Sequence, residues 1–180
     1  MPKPLLQLAT PDDVARIMPL FRAYQAHYRE LTIASEEQTR SFLFQHLQQA
    51  DRGFIVIAKI DAIIVGFAAV YITASGLLAE FIAHLGDLYV EHSYRRRSIA
   101  TSLFDFVTDE AKRRRISKVR WLSLSSNTLN DWYRTLGLSS GEFQLFLRKT
   151  EANQALLPTP MAVTPRADAR VAPATGAADL

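Results

Sequence analysis

The sequence predicts an α/β (α+β) domain in which a mixed, mostly antiparallel central sheet is flanked by helices. Three strand-like runs follow one another between residues 53 and 92, and their short connections favour an antiparallel meander. A strand–helix–strand unit then follows between residues 81 and 125, and such a unit places its two strands in parallel. Because neighbouring strands can diverge, we expect a V-shaped split between these two parallel strands.

The beginning of the chain predicts a short strand at residues 5–9 and then a helix. Thr10 provides the N-cap and Pro11 the first helical position, where proline is favoured. The helix should bury the apolar residues that recur at helical spacing, namely Val14, Ile17, Met18, Phe21 and Tyr28. Pro19 lies inside this pattern and should kink or divide the helix, because proline lacks a backbone N–H.

A capping box of Ser35 and Gln38 predicts a second helix that runs to about Ala50. The hydrophobic period then changes to that of strands, with runs at residues 53–60, 63–74 and 81–92. The first two runs are separated only by Asp61–Ala62, which indicates a tight turn. The connection at residues 75–80 is long enough to shape the rim of a pocket.

The next part of the chain predicts a helix, a strand, a second helix and a last strand. The first helix should bury one face formed by Ile99, Leu103, Phe106, Val107 and Ala111. It ends in the basic run Lys112–Arg115, which complements the helix dipole. A strand is expected at residues 119–125, a helix at 127–137 that ends at Gly137, and the last strand at 142–149.

The composition predicts one globular domain at residues 1–150 and an Ala/Pro-rich disordered tail at residues 151–180. Hydrophobic residues make up 48% of the chain and charged residues 22%. The last 30 residues contain nine alanines, four prolines and no aromatic residue, so they cannot bury a core. The chain has no cysteine, which excludes disulfides and a cysteine nucleophile. Its four histidines are scattered, so we expect ordinary helix or strand residues and no metal site. No apolar run is long enough to span a bilayer, and a cytoplasmic location is the default expectation.

The segment Tyr94–Phe104, "YRRRSIATSLF", places three arginines and small residues directly before a helix. Nine of the 21 lysines and arginines lie between Arg95 and Arg120, against three acids. The N–H groups of a helix N-terminus and the arginine charge can bind a phosphate at Arg95–Ala100. The same residues can form a solvated basic turn that caps an amphipathic helix. Because the charge is local and no aromatic residues alternate with it, we expect no nucleic-acid binding.

Two segments resemble the GNAT family of N-acetyltransferases: "LGDLYVEHSYRRRSIATSLF" and, further on, "LNDWYRTLGL". The family hallmark is Arg/Gln-x-x-Gly-x-Gly/Ala after a Leu-x-Val strand, with Tyr-x-x-x-Gly on a later helix. The matching residues are Leu88, Val90, Arg95, Ala100, Tyr133 and Gly137. The order of elements is similar over residues 5–149. Within the family, "AYQAHY" and "GDLYVEHSYR" look closest to the histone and polyamine acetyltransferase group and its bacterial relatives.

This resemblance implies a GNAT-like sheet and acetyl-CoA as the co-substrate, with no metal. The backbone of residues 88–90 would pair with pantetheine, and an N–H near Leu88 would stabilise the oxyanion. The basic turn would hold the pyrophosphate. The expected cofactor-binding residues are therefore Leu88, Tyr89, Val90, Arg95, Arg96, Arg97, Ser98, Ile99, Ala100 and Asn127.

Two positions depart from the family pattern. Ser98 stands in place of the first hallmark glycine, and Arg96 occupies a position where glycine is common. If the backbone at Ser98 needs a positive φ, serine costs about 1 kcal/mol relative to glycine. Its Cβ would also crowd a phosphate, although its hydroxyl can donate to one. The family's asparagine falls either at Ser126 or at Asn127, depending on which aromatic neighbour is used for counting.

Acetyl transfer to an amine needs a neutral nucleophile, a polarised carbonyl and a proton for the departing thiolate. The resemblance implies Tyr133 as the general acid, since phenols remain protonated at neutral pH. Asp87 could bind or deprotonate the amine, and related diamine enzymes often carry a glutamate at the position of Gly86. Tyr133 could instead be a core tyrosine, and Asp87 a carboxylate bonded to neighbouring backbone. The expected substrate-binding residues are Tyr28, Glu80 and Asp87, with Tyr24 beside them.

The favoured function is the acetylation of a primary amine on a small molecule, such as a polyamine or an amino acid. The expected partners are acetyl-CoA and this amine, and the expected assembly is a homodimer. A protein or peptide N-acetyltransferase remains an alternative. Ser98 and Gly86 also leave open a non-catalytic, acyl-CoA-binding regulatory domain.

Overall fold

The computed structural model describes residues 3–27, 34–123, 127 and 129–137. In chain order the elements are β1 (Leu5–Leu8), α1 (Val14–His27), α2 (Glu36–Gln48), β2 (Gly53–Ile60), β3 (Ile63–Ser75), β4 (Glu80–Val90), α3 (Ile99–Arg113), β5 (Val119–Trp121) and α4 (Asn130–Leu136). Short 3-10 turns precede α1 and α3. Within these ranges no helix is both long and apolar enough to cross a bilayer.

The five strands of the described part form one sheet in the order β1-β2-β3-β4-β5. The neighbours from β1 to β4 are antiparallel, and β4 and β5 are parallel. The parallel pair follows from the crossover through α3, because a helix between two strands lets both run in the same direction. The predicted α/β fold with a mixed, mostly antiparallel sheet is confirmed.

The two faces of the sheet pack against different helices. On the α1/α2 side, these helices bury one cluster with strand residues Ile55, Ile57, Phe67 and Ala69. On the α3 side, Ile99, Leu103, Val107 and Ala111 pack against strand residues that include Val56, Val70, Ala83 and Leu85. The predicted core face of α3 is confirmed, except that Phe104 is buried and Phe106 only partly so.

The predicted start of α2 is confirmed, and of the two effects predicted for Pro19 in α1, the division of the helix does not occur. The Gln38 N–H donates to Ser35 Oγ at 3.1 Å, and the Ser35 N–H donates to Gln38 Oε1 at 2.8 Å. Pro19 lies inside α1 and does not divide it, since the helix is continuous from Val14 to His27. Ile17 and Phe21 are buried on the same helix, so packing offsets the missing hydrogen bond.

Several element boundaries agree with the prediction and others do not. β2 runs from Gly53 to Ile60 as predicted, and the turn at Asp61 and Ala62 has φ of 48° and 68°. β5 ends at Trp121, before the predicted residue 125, and α4 begins at Asn130 rather than at residue 127. Outside the described residues lie Tyr28, the predicted strand at 142–149 and the tail at 151–180.

The sheet opens between its two parallel strands. β4 and β5 pair over three residue pairs, from Ala83 with Val119 to Leu85 with Trp121. β4 continues from there to Val90, still paired with β3. In the described part of the chain, β5 does not accompany it beyond Leu85. The predicted split therefore begins at this residue.

Candidate active site

β4 contains an extra residue at Gly86, directly where the split begins. Asp87 pairs with Ala69 and Leu85 pairs with Val70, so Gly86 has no opposite residue of its own on β3. Such a β-bulge changes the face of the sheet to which the following side chains point. Leu85 packs on the α3 side, whereas Asp87 contacts tyrosines on the α1/α2 side. The bulge therefore turns the Asp87 carboxylate toward α1 and α2.

The Asp87 carboxylate is held by two tyrosine hydroxyls from other elements. The Tyr24 hydroxyl on α1 donates to Oδ1 at 2.7 Å, and the Tyr71 hydroxyl on β3 donates to Oδ2 at 2.7 Å. The Tyr24 ring also meets the Tyr89 ring at 5.9 Å between centroids. All four side chains are half-buried. The partners of this carboxylate are thus side chains brought from α1 and β3, and a carboxylate has further lone pairs for a ligand.

Gly86 leaves the space that the Tyr71 ring occupies. A Cβ on Gly86 would lie 2.3 Å from Tyr71 Cε2, which is far inside van der Waals contact. On its other side the Tyr71 ring packs against His46 of α2, with 4.9 Å between centroids. Burial, and next the negative charge of Asp87, raise the pKa of Tyr71 well above its usual value. Tyr71 therefore remains a hydrogen-bond donor to Asp87 throughout the physiological pH range.

The backbone of β4 presents polar groups to the split. The Glu91 N–H donates to the Val65 carbonyl of β3 at 2.9 Å. Since successive residues of a strand point their N–H and C=O groups to alternate sides, those of Leu88 and Val90 point away from β3. The Val90 carbonyl accepts from Arg95 Nε at 3.0 Å. Leu88 therefore offers its N–H and C=O to whatever enters the split.

The turn before α3 has two residues in the left-handed region. Ser98 is the N-cap with φ of 57° and ψ of 15°, and Arg96 has φ of 60°. This conformation costs an L-residue about 1–2 kcal/mol, which explains why glycine is common at both positions in the resembling family. The positive φ considered for Ser98 is confirmed. The turn exposes Ser98 at the first turn of a 15-residue helix, where N–H groups lack intrahelical partners.

Two of the three arginines also support the turn itself. Arg95, bonded to Val90, lies with its guanidinium 5.5 Å from the Tyr89 ring centroid. Arg97 donates to the Ser93 carbonyl at 3.0 Å and lies 5.2 Å from the Tyr94 ring centroid. All three arginine side chains are nevertheless exposed. The arginines can therefore shape the turn and supply positive charge beside the helix N-terminus.

Tyr133 lies beside the strand end at which the split begins. Its ring is 5.9 Å from the Trp121 ring, and Trp121 is the last residue of β5 to pair with β4. Trp121 in turn packs edge-on against Phe104 of α3 at 5.1 Å. A Cβ on Gly137 would lie 2.8 Å from Trp121 Cη2, so a glycine is needed here for close packing against the Trp121 ring. The backbone of Gly137 is extended and does not form a left-handed helix cap. Both ends of the Tyr-x-x-x-Gly motif thus pack on Trp121.

The structure does not bring every predicted residue to this place. Glu80 begins β4, roughly 20 Å along the strand from Asp87. There it accepts hydrogen bonds from Lys118 and Ser117, which lower the pKa of its exposed carboxyl. Asn127 Oδ1 accepts from the Leu129 N–H at 3.0 Å, at the start of α4. Tyr28 and Ser126 lie outside the described residues, so the choice between Ser126 and Asn127 stays open.

Sequence reasoning missed Tyr71 and His46. Tyr71 lies within a predicted strand, but its contact with Asp87 depends on the bulge at Gly86. His46 was predicted to be an ordinary helix residue, and it is buried on α2. A glycine beside a strand aspartate was the one available signal, since glycine inside a strand often marks a bulge.

A parallel strand pair that opens beside a helix N-terminus, with a carboxylate on one face and a tyrosine beside the opening, defines an acyltransferase of the GNAT type. The profile of the acetyltransferase (GNAT) family matches residues 18–138. The chain belongs to this family, whose members use acetyl-CoA. In the described part, no group of three or more His, Cys, Asp or Glu side chains could hold a metal ion.

Solved structures share the fold at low sequence identity. A probable acetyltransferase is 23% identical with a TM-score of 0.71, covering 81% of this chain and 97% of its own. A ribosomal-protein-alanine N-acetyltransferase from Brucella melitensis biovar Abortus 2308 is 19% identical with a TM-score of 0.65, covering 82% and 100%. An aminoglycoside acetyltransferase from an uncultured soil metagenomic sample, in complex with sisomicin, is 17% identical with a TM-score of 0.67, covering 82% and 95%. No curated protein matches the sequence. The placement near the histone and polyamine group stays a prediction.

Gly86→Ala should lower the free energy of unfolding by about 1–3 kcal/mol, because the new Cβ must displace the Tyr71 ring. Urea denaturation measures this. Gly76→Ala is the matched control, since a Cβ there has no heavy atom within 4 Å, and it should change stability little. The cost of Gly86→Ala should shrink in a Tyr71→Ala background, and an equal cost in both backgrounds would contradict the contact.

Ser98→Gly should raise the free energy of unfolding by about 0.5–1 kcal/mol, because glycine relieves the left-handed strain but gains freedom in the unfolded chain. Ser98→Ala keeps the Cβ and removes only the hydroxyl, so it should bring no gain. Paired thermal melts of the three proteins give the comparison. A Ser98→Gly protein less stable than the parent would show that the serine side chain, not backbone strain, dominates at this position.

Proposed function

We propose that this chain transfers an acetyl group from acetyl-CoA to a primary amine of a small molecule, by direct attack of the amine. One observation carries the proposal. The edge of β4 at Leu88, which β5 does not cover within the described residues, lies between the Asp87 carboxylate, which points to the α1/α2 side, and Tyr133, which packs on Trp121 at the end of β5. An anionic group for the amine and a hydroxyl for the leaving thiolate thus flank one opening.

The residues present fit acetyl-CoA. Leu88 offers a backbone N–H and C=O to an extended pantetheine arm, and α3 begins at an exposed turn with three arginines. Small Ala100 and the exposed Ser98 let an anion approach the first N–H groups of α3. When bound, acetyl-CoA supplies a thioester whose carbonyl carbon accepts the amine. The Ser98 Cβ leaves less room than glycine for a phosphate at these N–H groups. We expect this to change the affinity for acetyl-CoA and not the kind of ligand bound.

The α1/α2 side suits a cationic amine. Asp87 is fixed by Tyr24 and Tyr71, and both phenols donate, so the carboxylate oxygens have further lone pairs for the ligand. It can bind the ammonium form and receive a proton, directly or through water, as the amine becomes nucleophilic. Because the phenols fix its orientation, little freedom is lost when the amine binds.

The reaction balances with these groups. The amine nitrogen forms a bond to the carbonyl carbon, the carbon–sulfur bond breaks, and the amide and free CoA are the products. The bound ammonium loses one proton to Asp87, or to water beside it, before it attacks, and the nitrogen loses a second proton to water as the amide forms. The departing thiolate takes one proton from the Tyr133 hydroxyl, which solvent then restores. The Leu88 N–H, directed into the split, stabilises the oxyanion between these two events.

Release of free CoA, followed with a thiol reagent, tests the function directly. The purified chain should release CoA from acetyl-CoA when a small primary amine is added, and not in its absence. Turnover with peptides alone would assign it instead to protein acetylation. Tight CoA binding measured by calorimetry, without turnover on any amine or peptide, would assign it to a regulatory acyl-CoA-binding domain.

Tyr133→Phe should lower kcat on the order of tenfold to a thousandfold, because it removes the proton donor for the thiolate. The dissociation constant of acetyl-CoA and the melting temperature should change little, since only one oxygen is lost. Steady-state kinetics with calorimetry separate these effects. If Tyr133 only packs on Trp121, kcat will stay at the parent value, and the general-acid role will be wrong.

Asp87→Asn should lower kcat/KM for the amine about a hundredfold, because the amide keeps the shape but loses the charge. A rise in KM alone identifies ammonium binding, whereas a fall in kcat with a shifted pH profile identifies proton transfer. Acetyl-CoA affinity serves as the internal control and should not change. An unaltered kcat/KM would exclude both roles of Asp87.

A further inference from the structure

α2 presents an exposed aromatic ring beside the Asp87 carboxylate. Phe42 is 45% exposed, although it lies on a helix that packs on the sheet. Its ring is nearly parallel to His46, with an interplanar angle of 3° and 6.0 Å between centroids, and it is 6.3 Å from the Tyr71 ring. We call Phe42, His46 and Tyr71 the aromatic shelf. Its outer face, formed by Phe42, is open to solvent.

The aromatic shelf leads directly to the anionic group of the site. The Tyr71 ring lies between the other two rings and Asp87, and its hydroxyl bonds the carboxylate at 2.7 Å. Within the aromatic shelf, His46 is buried, and this desolvation lowers its pKa and keeps the ring uncharged at neutral pH. The Tyr71 ring is tilted by 42° to Phe42, so the exposed Phe42 ring and the Asp87 carboxylate lie on different sides of Tyr71 on the α1/α2 side.

We propose that the aromatic shelf is an acceptor subsite, and that the amine acetylated by this chain carries an aromatic ring on a short spacer. The ring packs on the exposed Phe42 ring and reaches only the edge of Tyr71, while the amino group meets Asp87. This inference rests on the proposed function and names the substrate class of the same site. Aromatic pairs gain from stacking beyond the area that they bury, so the ring would contribute to binding energy directly.

The charges around Asp87 disfavour acceptors with several positive groups. Along β4 the next side chain on this face is His84, whose parallel neighbour on β5 is Arg120. Burial, and next the positive charge of Arg120, lower the pKa of His84, so this direction offers a neutral ring and a guanidinium. Lys118 lies further along and is paired with Glu80. A linear polyamine or an aminoglycoside would therefore meet one carboxylate and then positive charge.

A second phenylalanine on the same helix provides a matched control. Phe44 is 44% exposed, almost the same fraction as Phe42. It lies on another side of α2, beside Pro11 and Val14 near the start of α1. A general effect of removing an exposed ring from α2 would appear in both variants. An effect on acceptor choice should appear only at Phe42.

The experiment measures kcat/KM of the full chain by CoA release with three probes: 2-phenylethylamine, 2-cyclohexylethylamine and putrescine. The parent should favour 2-phenylethylamine over putrescine by at least about tenfold, and over the cyclohexyl analogue by several-fold. Phe42→Ala should lower the value for 2-phenylethylamine about tenfold and leave that for putrescine within about twofold. Phe44→Ala should leave all three values within about twofold. Phe42→Leu keeps apolar bulk and should remove the preference for phenyl over cyclohexyl.

Three results would overturn the inference while leaving the proposed function in place. These are a preference for putrescine or an aminoglycoside, an equal loss on all three probes in Phe42→Ala, and the same loss in Phe44→Ala. Turnover with peptides but with no free amine would overturn it as well. If no amine or peptide releases CoA, the proposed function itself is wrong and the inference falls with it. Melting temperatures of the variants confirm that each comparison is made on folded protein.

Discussion

β4 pairs with β3 along its length but with β5 over only three residue pairs, and the arrangement of the site depends on this difference. A strand bonded on both edges has no free N–H or C=O groups, so the edge at Leu88 exists only because β5 diverges. The extra residue at Gly86 lies at the same place and turns Asp87 to the α1/α2 side, while Leu85 remains in the core on the α3 side. In the proposed function, this irregularity separates the side that would bind acetyl-CoA, at Leu88 and the turn before α3 (the acyl side), from the side that would bind the amine, at Asp87 (the amine side).

The turn before α3 contains backbone strain, and the burial of α3 in the core offsets its cost. Ser98 and Arg96 both adopt a left-handed conformation that L-residues avoid, yet the helix that follows is anchored by buried Ile99, Leu103 and Val107. Burying these side chains stabilises the domain by several kcal/mol, more than the strain at two residues costs. The turn therefore keeps its shape without the hallmark glycines. This is why the departure at Ser98 concerns ligand affinity and not the fold.

Much of the fold and of the acyl side could be predicted from the sequence, because both depend on local patterns. β2 begins and ends at the predicted residues, and the basic turn, Leu88 and the Tyr133–Gly137 spacing follow from short motifs. The amine side could not be predicted in the same way. Whether Tyr71 and Asp87 share a face depends on a one-residue bulge, and Phe42 reaches Tyr71 only through the packing of α2 on the sheet. Glu80, predicted as a substrate-binding residue, lies seven residues from Asp87 along β4, where it is paired with Lys118.

This contrast has a physical origin in what each side must recognise. In the proposed function, acetyl-CoA would contact mainly backbone groups, which any sequence supplies once a strand diverges and a helix begins, so small or flexible residues at a few positions suffice. The acceptor would instead contact side chains from α1, α2, β3 and β4. Of these, Tyr24, Phe42, Tyr71 and Asp87 are separated by up to 63 residues in sequence. Each of these can change without disturbing the acyl side. In this proposal the acceptor class depends on the side-chain arrangement and not on the family fold, and the arrangement here places an exposed Phe42 ring near the Asp87 carboxylate.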